Sequence, residues 1–80
     1  MIEVILHPLL VKRATSHQAT RSVPYRAGLT PLALLLEEGF SQVDAEAVMI
    51  LRNDTQIEPE SDLEDGDRVE FMVAIQGGTT

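Results

Sequence analysis

The stretch Leu63-Glu64-Asp65-Gly66-Asp67-Arg68-Val69-Glu70-Phe71-Met72-Val73-Ala74-Ile75-Gln76-Gly77-Gly78 decides how this chain folds. It opens on a turn, Asp65-Gly66-Asp67, built of residues that punctuate chains between regular elements. Residues 68–75 then alternate. Val69, Phe71, Val73 and Ile75 share one face, the period of a strand with one buried side. Met72 and Ala74 fall on the opposite face. Two adjacent glycines follow the strand directly, so they begin a tail instead of joining two elements.

The other elements arrange themselves around this strand. Ile2, Val4 and Leu6 alternate at the N-terminus, with Ile5 on the other face, and predict a first strand that His7-Pro8 closes, because proline lacks the N–H of a ladder. Residues 12–19 are polar and read as a loop. A weaker strand is expected over 20–26, with Pro24 marking an edge position or a bulge. Residues 31–38 carry the clearest helix signal. Thr30 is placed to cap the first turn and Pro31 takes the first helical position, where its missing N–H costs nothing. Leu32, Leu35 and Leu36 form an apolar face, and Gly39 offers the left-handed residue that ends a helix, with Phe40 packing back. Residues 47–51 read as a buried strand, Arg52-Asn53-Asp54 as a turn, 55–57 as a short strand and 58–67 as a polar segment containing Pro59.

Strand, strand, helix, strand, short strand, strand is the order of an α+β fold in which a mixed sheet of four to five strands packs on one main helix. First and last strands then lie side by side in the middle, which is the β-grasp, ubiquitin-like architecture. The expected division is a domain over residues 1–76 and a flexible C-terminal tail over 77–80.

Composition narrows the function classes. Eighty residues make one domain with little room for a deep cleft, which favours a binding or carrier module over a self-contained enzyme. Cysteine is absent, which excludes disulfides, thiolate metal sites and cysteine nucleophiles. The net charge of −7 argues against nucleic acid, whose phosphates need a basic footprint. The charge is uneven. Residues 1–26 hold Lys12, Arg13, Arg21 and Arg26 against Glu3 alone, whereas residues 54–70 hold eight carboxylates and one arginine. Such a face is either simply solvated or steers the chain toward a basic surface on a partner. The longest apolar stretch of the first forty residues is the five at 32–36, short of the roughly 20 needed to span a bilayer. No basic region precedes a signal-type segment. The expectation is a cytoplasmic protein without a membrane partner.

The run from Leu63 to Phe71 and the ending Val73-Ala74-Ile75-Gln76-Gly77-Gly78 together resemble the C-terminal signature of the sulfur carriers of thiamine and molybdopterin synthesis, the ThiS/MoaD family. There an L-x-D-G-D-x-V-x-F turn and strand lead at fixed distance into a terminal Gly-Gly. Gly28-Leu29-Thr30-Pro31-Leu32-Ala33-Leu34-Leu35 also resembles the way that family's chain enters its helix. The likeness of layout spans most of the chain and is specific over about the last sixteen residues. The resemblance implies that a ubiquitin-activating-type enzyme adenylates Gly78 with ATP and that a sulfur donor protein replaces AMP to leave a thiocarboxylate. It implies Gly77 and Gly78 as the site, no bound cofactor, and a synthase large subunit as a further partner. The pathway stays open. The long first hairpin resembles the molybdopterin-synthase small subunit, and the ending is nearer the thiamine type.

The sequence departs from that pattern at one place. The family ends at its second glycine, and here Thr79 and Thr80 follow Gly78. The expectation is that a protease removes them; the opposing reading is a domain that has lost carrier activity. Docking is expected beside the tail, through Met72, Ala74 and Gln76, unless Met72 merely packs within the domain. His7 and His17 lack zinc-ligand spacing. Placing Gly66 at the glycine of a calcium loop puts Leu63 and Met72 at ligand positions, so no metal is expected. No catalytic constellation is present. Two other readings of the glycines stand beside the carrier: a protein modifier joined through Gly78 to a lysine, and an interaction domain that uses only its surface.

Overall fold

A computed structural model describes residues 1–73; residues 74–80 lie outside the description. The elements are β1 (Ile2–Leu6), α1 (Pro8–Val11), β2 (Thr20–Val23), α2 (Pro31–Glu37), α3 (Gln42–Ala47), β3 (Val48–Arg52), β4 (Thr55–Gln56) and β5 (Arg68–Val73). The strands form one sheet in the order β2-β1-β5-β3-β4. β1 and β5 are parallel, with Val4 opposite Val69 and Leu6 opposite Phe71. The β1–β2, β3–β5 and β3–β4 pairs are antiparallel. The first and last strands are thus adjacent at the centre, and the architecture is a β-grasp.

Alternation sets the register. Ile2, Val4 and Leu6 of β1, Ile50 of β3, and Val69 and Phe71 of β5 are all buried on one face. They meet Leu10 of α1, Leu34 and Leu35 of α2, and Ala45 of α3 in a single core. A one-residue slip of β5 would send Val69 and Phe71 to the other face. Truncating Phe71 to alanine would cost about 3–5 kcal/mol, the usual loss for a large buried aromatic.

α2 begins and ends as its sequence dictates. Thr30 Oγ1 accepts a hydrogen bond from the Ala33 N–H at 3.2 Å, and Pro31 follows. At the other end Gly39 takes φ +90°. Its N–H donates to the Leu36 carbonyl, and the Phe40 N–H donates to Leu35, each at 3.0 Å, the two bonds of a Schellman ending. A Cβ on Gly39 would lie 2.8 Å from Thr15 Oγ1, so both backbone and space require glycine there.

The buried stripe of α2 differs from the expected one. Pro31, Leu34, Leu35 and Glu38 face the core, while Leu32 is half-buried and Leu36 is 49% exposed. Positions i, i+3, i+4 and i+7 share a helix face, and the fourth member here is a carboxylate. Glu38 is 2% exposed. Its Oε1 accepts from the Ser16 N–H and its Oε2 from Ser16 Oγ, each at 3.0 Å. Arg21 Nε lies 2.5 Å from Oε2, an ion pair without hydrogen-bond alignment at that nitrogen. A buried charge persists where a countercharge and hydrogen bonds compensate it, and here they also hold the 12–19 loop against the end of α2.

Three other expectations are corrected. Residues 8–11, to which the sequence reading assigns no element, form α1, started by Pro8 with His7 Nδ1 accepting from the Leu9 N–H at 3.0 Å. Ala47 ends α3 and does not begin β3. α3 is set by a capping box, in which Ser41 Oγ accepts from the Asp44 N–H and Asp44 Oδ2 from the Ser41 N–H, each at 3.1 Å. β2 stops at Val23, before Pro24, and is an edge strand as proline requires. The expected boundary between a domain at 1–76 and a tail at 77–80 lies outside the described residues.

Candidate functional site

β5 is bonded to β1 on one side and β3 on the other. It is also held at its start. Gly66 turns at φ +94° and donates its N–H to the Met1 carbonyl at 3.0 Å. Asp67 is almost fully buried; its carboxylate accepts from the Glu64 N–H at 2.8 Å and from Asn53 Nδ2 at 3.1 Å. Asn53 and Asp54 both take positive φ, the backbone of a two-residue hairpin turn between β3 and β4, and Asn53 Oδ1 accepts from the Arg68 N–H at 3.0 Å. The turn and the strand therefore form one fixed unit up to Val73. From there the sequence continues into Ala74-Ile75-Gln76-Gly77-Gly78. Five residues reach about 17 Å when extended.

Of the expected site residues, Met72 is described, and Ala74, Gln76, Gly77 and Gly78 lie outside the described residues. Met72 is half-buried on the face of the sheet away from the core, with Met49 of β3 opposite it. Ile5 and Leu51 face the same way at neighbouring register positions, both opposite Glu70. The result is an apolar strip, Ile5, Met49, Leu51 and Met72, edged by charge. Arg68 beside it pairs with Asp54 at 3.0 Å and Glu70 at 3.9 Å. Such a strip is suited to a protein partner, with apolar contact in the middle and ions at the rim.

A second feature was not expected from sequence. The groove between α1, α3 and the end of β5 encloses about 260 Å³ and is lined in part by Leu9, Leu10, Phe40, Ala47 and Val73. The pattern Pro8-Leu9-Leu10-Val11 held the signal, since proline at a helix start followed by apolar residues marks a short helix. Arg13 and Asp44 also line it; they pair at 3.3 Å, and the Arg13 guanidinium lies 5.6 Å from the centre of the Phe40 ring. The backbone N–H of Ser41, then its hydroxyl and the Arg13 charge, hold the Asp44 carboxyl below the usual aspartate range.

Among the described residues no three His, Cys, Asp or Glu side chains are grouped to hold a metal ion, and no helix is long and apolar enough to cross a membrane.

Comparison with known proteins bears on the whole chain. The sequence model of the ThiS family matches residues 15–78, a span that includes α2, α3, all of β5 and both glycines. No curated protein matches the sequence. Among solved structures, a chain of the BexX/CysO complex of Amycolatopsis orientalis shares the fold, with a TM-score of 0.67 at 18% identity, covering 98% of this chain and 100% of that one.

Proposed function

The chain belongs to the ThiS family, and from that premise we propose that it is a sulfur carrier: a protein co-substrate, not an enzyme by itself, loaded at the carboxylate of Gly78 once Thr79 and Thr80 are removed. The observation that carries the reading is the position of β5. It is the central strand, anchored at both edges and at its start, and its sequence runs straight on to Gly77-Gly78. A docked domain thereby holds the start of the Gly-Gly segment at a fixed place, about 17 Å of extended chain from Gly78.

The chemistry follows from elementary reactivity. A terminal carboxyl group has a pKa of about 3.3–3.7 and is ionised at neutral pH, so nucleophiles do not attack it. A ubiquitin-activating-type partner supplies ATP; the Gly78 carboxylate attacks the α-phosphorus, and pyrophosphate leaves. A sulfur nucleophile then forms the C–S bond as the C–O bond to AMP breaks. With no cysteine in the chain, that sulfur comes from a donor protein's persulfide, and a thiol reductant then cleaves the S–S bond of the resulting acyl disulfide, which frees the donor thiol and leaves the thiocarboxylate. Two residues without side chains make the thinnest segment available for threading to a nucleotide. A C-terminal threonine, β-branched, would put bulk where such a channel is narrowest. The strip containing Met72 is the docking face for the activating enzyme; Ala74 and Gln76, expected to share that role, lie outside the described residues. The loaded carrier donates its sulfur in the assembly of a cofactor of the molybdopterin or thiamine kind.

The test is reconstitution. A chain ending at Gly78 is mixed with its host's adenylating enzyme and ATP. Carrier-dependent exchange of pyrophosphate into ATP is expected, and a sulfide source then adds about 16 Da, sulfur in place of oxygen. The absence of exchange with an enzyme that is active on its own carrier overturns the reading. Conjugates of higher mass in cell extract, without the gain of sulfur, would assign the chain to the modifiers instead.

A further inference from the structure

Beside the end of β5, on the helix side of the sheet, lies the groove between α1 and α3. Leu10 and Phe40 on its floor are buried, Val73 is half-buried in its wall, and Ala47 and Leu9 stand exposed at its rim, Leu9 by 58%. Leu9 is one of the large apolar side chains left exposed, and it stands at the mouth of an apolar groove, where the two make a continuous apolar surface. Among the described residues the charged side chains lining the groove, Arg13 and Asp44, pair with each other at 3.3 Å. The site therefore favours an uncharged apolar occupant.

Where the chain leaves the described structure indicates what that occupant is. Val73 is both the last described residue of β5 and a wall of the groove. A protein that holds Gly78 at its nucleotide must bring its surface within about 17 Å of Val73, the reach of five extended residues. Two apolar surfaces adjoin this strand end. One is the strip with Met72 on the open sheet face, and the other is the groove on the helix side. We propose that the groove receives an aliphatic or aromatic side chain of the adenylating partner, with Leu9 packing on it from the rim. The partner then grips the end of β5 from both sides, and Leu9 and Ala47 contribute to carrier recognition independently of Met72. This rests on the carrier reading above.

Leu9→Asp and Ala47→Gln change exposed side chains at the rim, and either can be read alone if the other fails to fold, as checked by an amide NMR spectrum. Val43→Asp, at a residue 76% exposed on α3 and outside the groove, is the control. In pyrophosphate exchange with the chain ending at Gly78 and the host's adenylating enzyme, each groove variant is expected to raise KM for the carrier at least tenfold with kcat within twofold. The control is expected to stay within twofold on both. Exchange by the unmodified chain together with unchanged KM in the folded groove variants overturns the groove assignment and leaves the carrier reading intact. No exchange by the unmodified chain overturns both. Sedimentation that shows a dimer broken by Leu9→Asp gives the groove to a second copy of this chain, and overturns the proposal in that way.

Discussion

Replacing Glu38 with alanine tests the least expected interaction of the fold. The carboxylate is 2% exposed and accepts two hydrogen bonds from Ser16 while facing Arg21. Each hydrogen bond to a charged group contributes about 1.5–3 kcal/mol when its loss strands a partner. Losing one member of a buried pair costs about 3–5 kcal/mol. Arg21 is about a quarter exposed, and the 12–19 loop is free to hydrate once released, so the expected loss lies at the lower end, about 2–4 kcal/mol. A chain of this length has a total stability of roughly 4–12 kcal/mol at 0.05–0.15 kcal/mol per residue. The substitution therefore removes a large share of it. Urea unfolding followed by circular dichroism reads the change as a shift in midpoint. Arg21→Met in the Glu38→Ala background should recover part of the loss, because it removes the charge left without a partner. A loss below about 1 kcal/mol, or strictly additive losses in the double variant, would refute the reasoning: the cluster would then be a surface ion pair of the weak kind.

Gly39→Ala is expected to cost about 1–3 kcal/mol, from the positive φ and the close approach to Thr15 Oγ1, and to lower the melting temperature by at least 4 °C. Asp44, with its carboxyl lowered by Ser41 and Arg13, contributes stability that is full above the ordinary aspartate value of about 3.9 and is lost as pH falls through its lowered folded value. Acid unfolding curves of the parent and of Asp44→Ala should therefore converge at low pH, and a constant separation would contradict the assignment. Met72→Glu leaves the fold in place, since the side chain lies on the face away from the core, and should raise KM for the carrier in pyrophosphate exchange at least tenfold; unchanged KM would remove the strip as the docking face.

The parts of this fold that were legible in the sequence are those where local chemistry and burial agree. β5 shows its period of two over Val69, Phe71 and Val73, and the structure buries the first two and half-buries the third. Thr30-Pro31 and Gly39-Phe40 mark both ends of α2 because capping is a local interaction. The face of α2 was harder to read. Four leucines over residues 32–36 fit more than one stripe, and the deciding position is Glu38, whose burial depends on Arg21 and Ser16 arriving from elsewhere in the chain. α3 carried its own signal in Ser41-x-x-Asp44, but it buries only Ala45 fully, so its apolar periodicity is too faint to see. The groove at α1 arises from segments far apart in sequence, Leu9, Phe40, Ala47 and Val73, and no local pattern brings these together. Gly77-Gly78 stands the other way round: it is proposed as the site from the sequence and lies outside the described residues, and the structure contributes the anchored strand that precedes it in the chain.

The central claim is that this chain carries sulfur on Gly78. Intact-mass analysis of the protein purified from its native host, under conditions where cofactor synthesis is active, tests it most directly. The expected result is a species ending at Gly78, with a fraction heavier by about 16 Da that reverts on hydrolysis of the thiocarboxylate. A protein found only as the full chain through Thr80, without added sulfur, would contradict it.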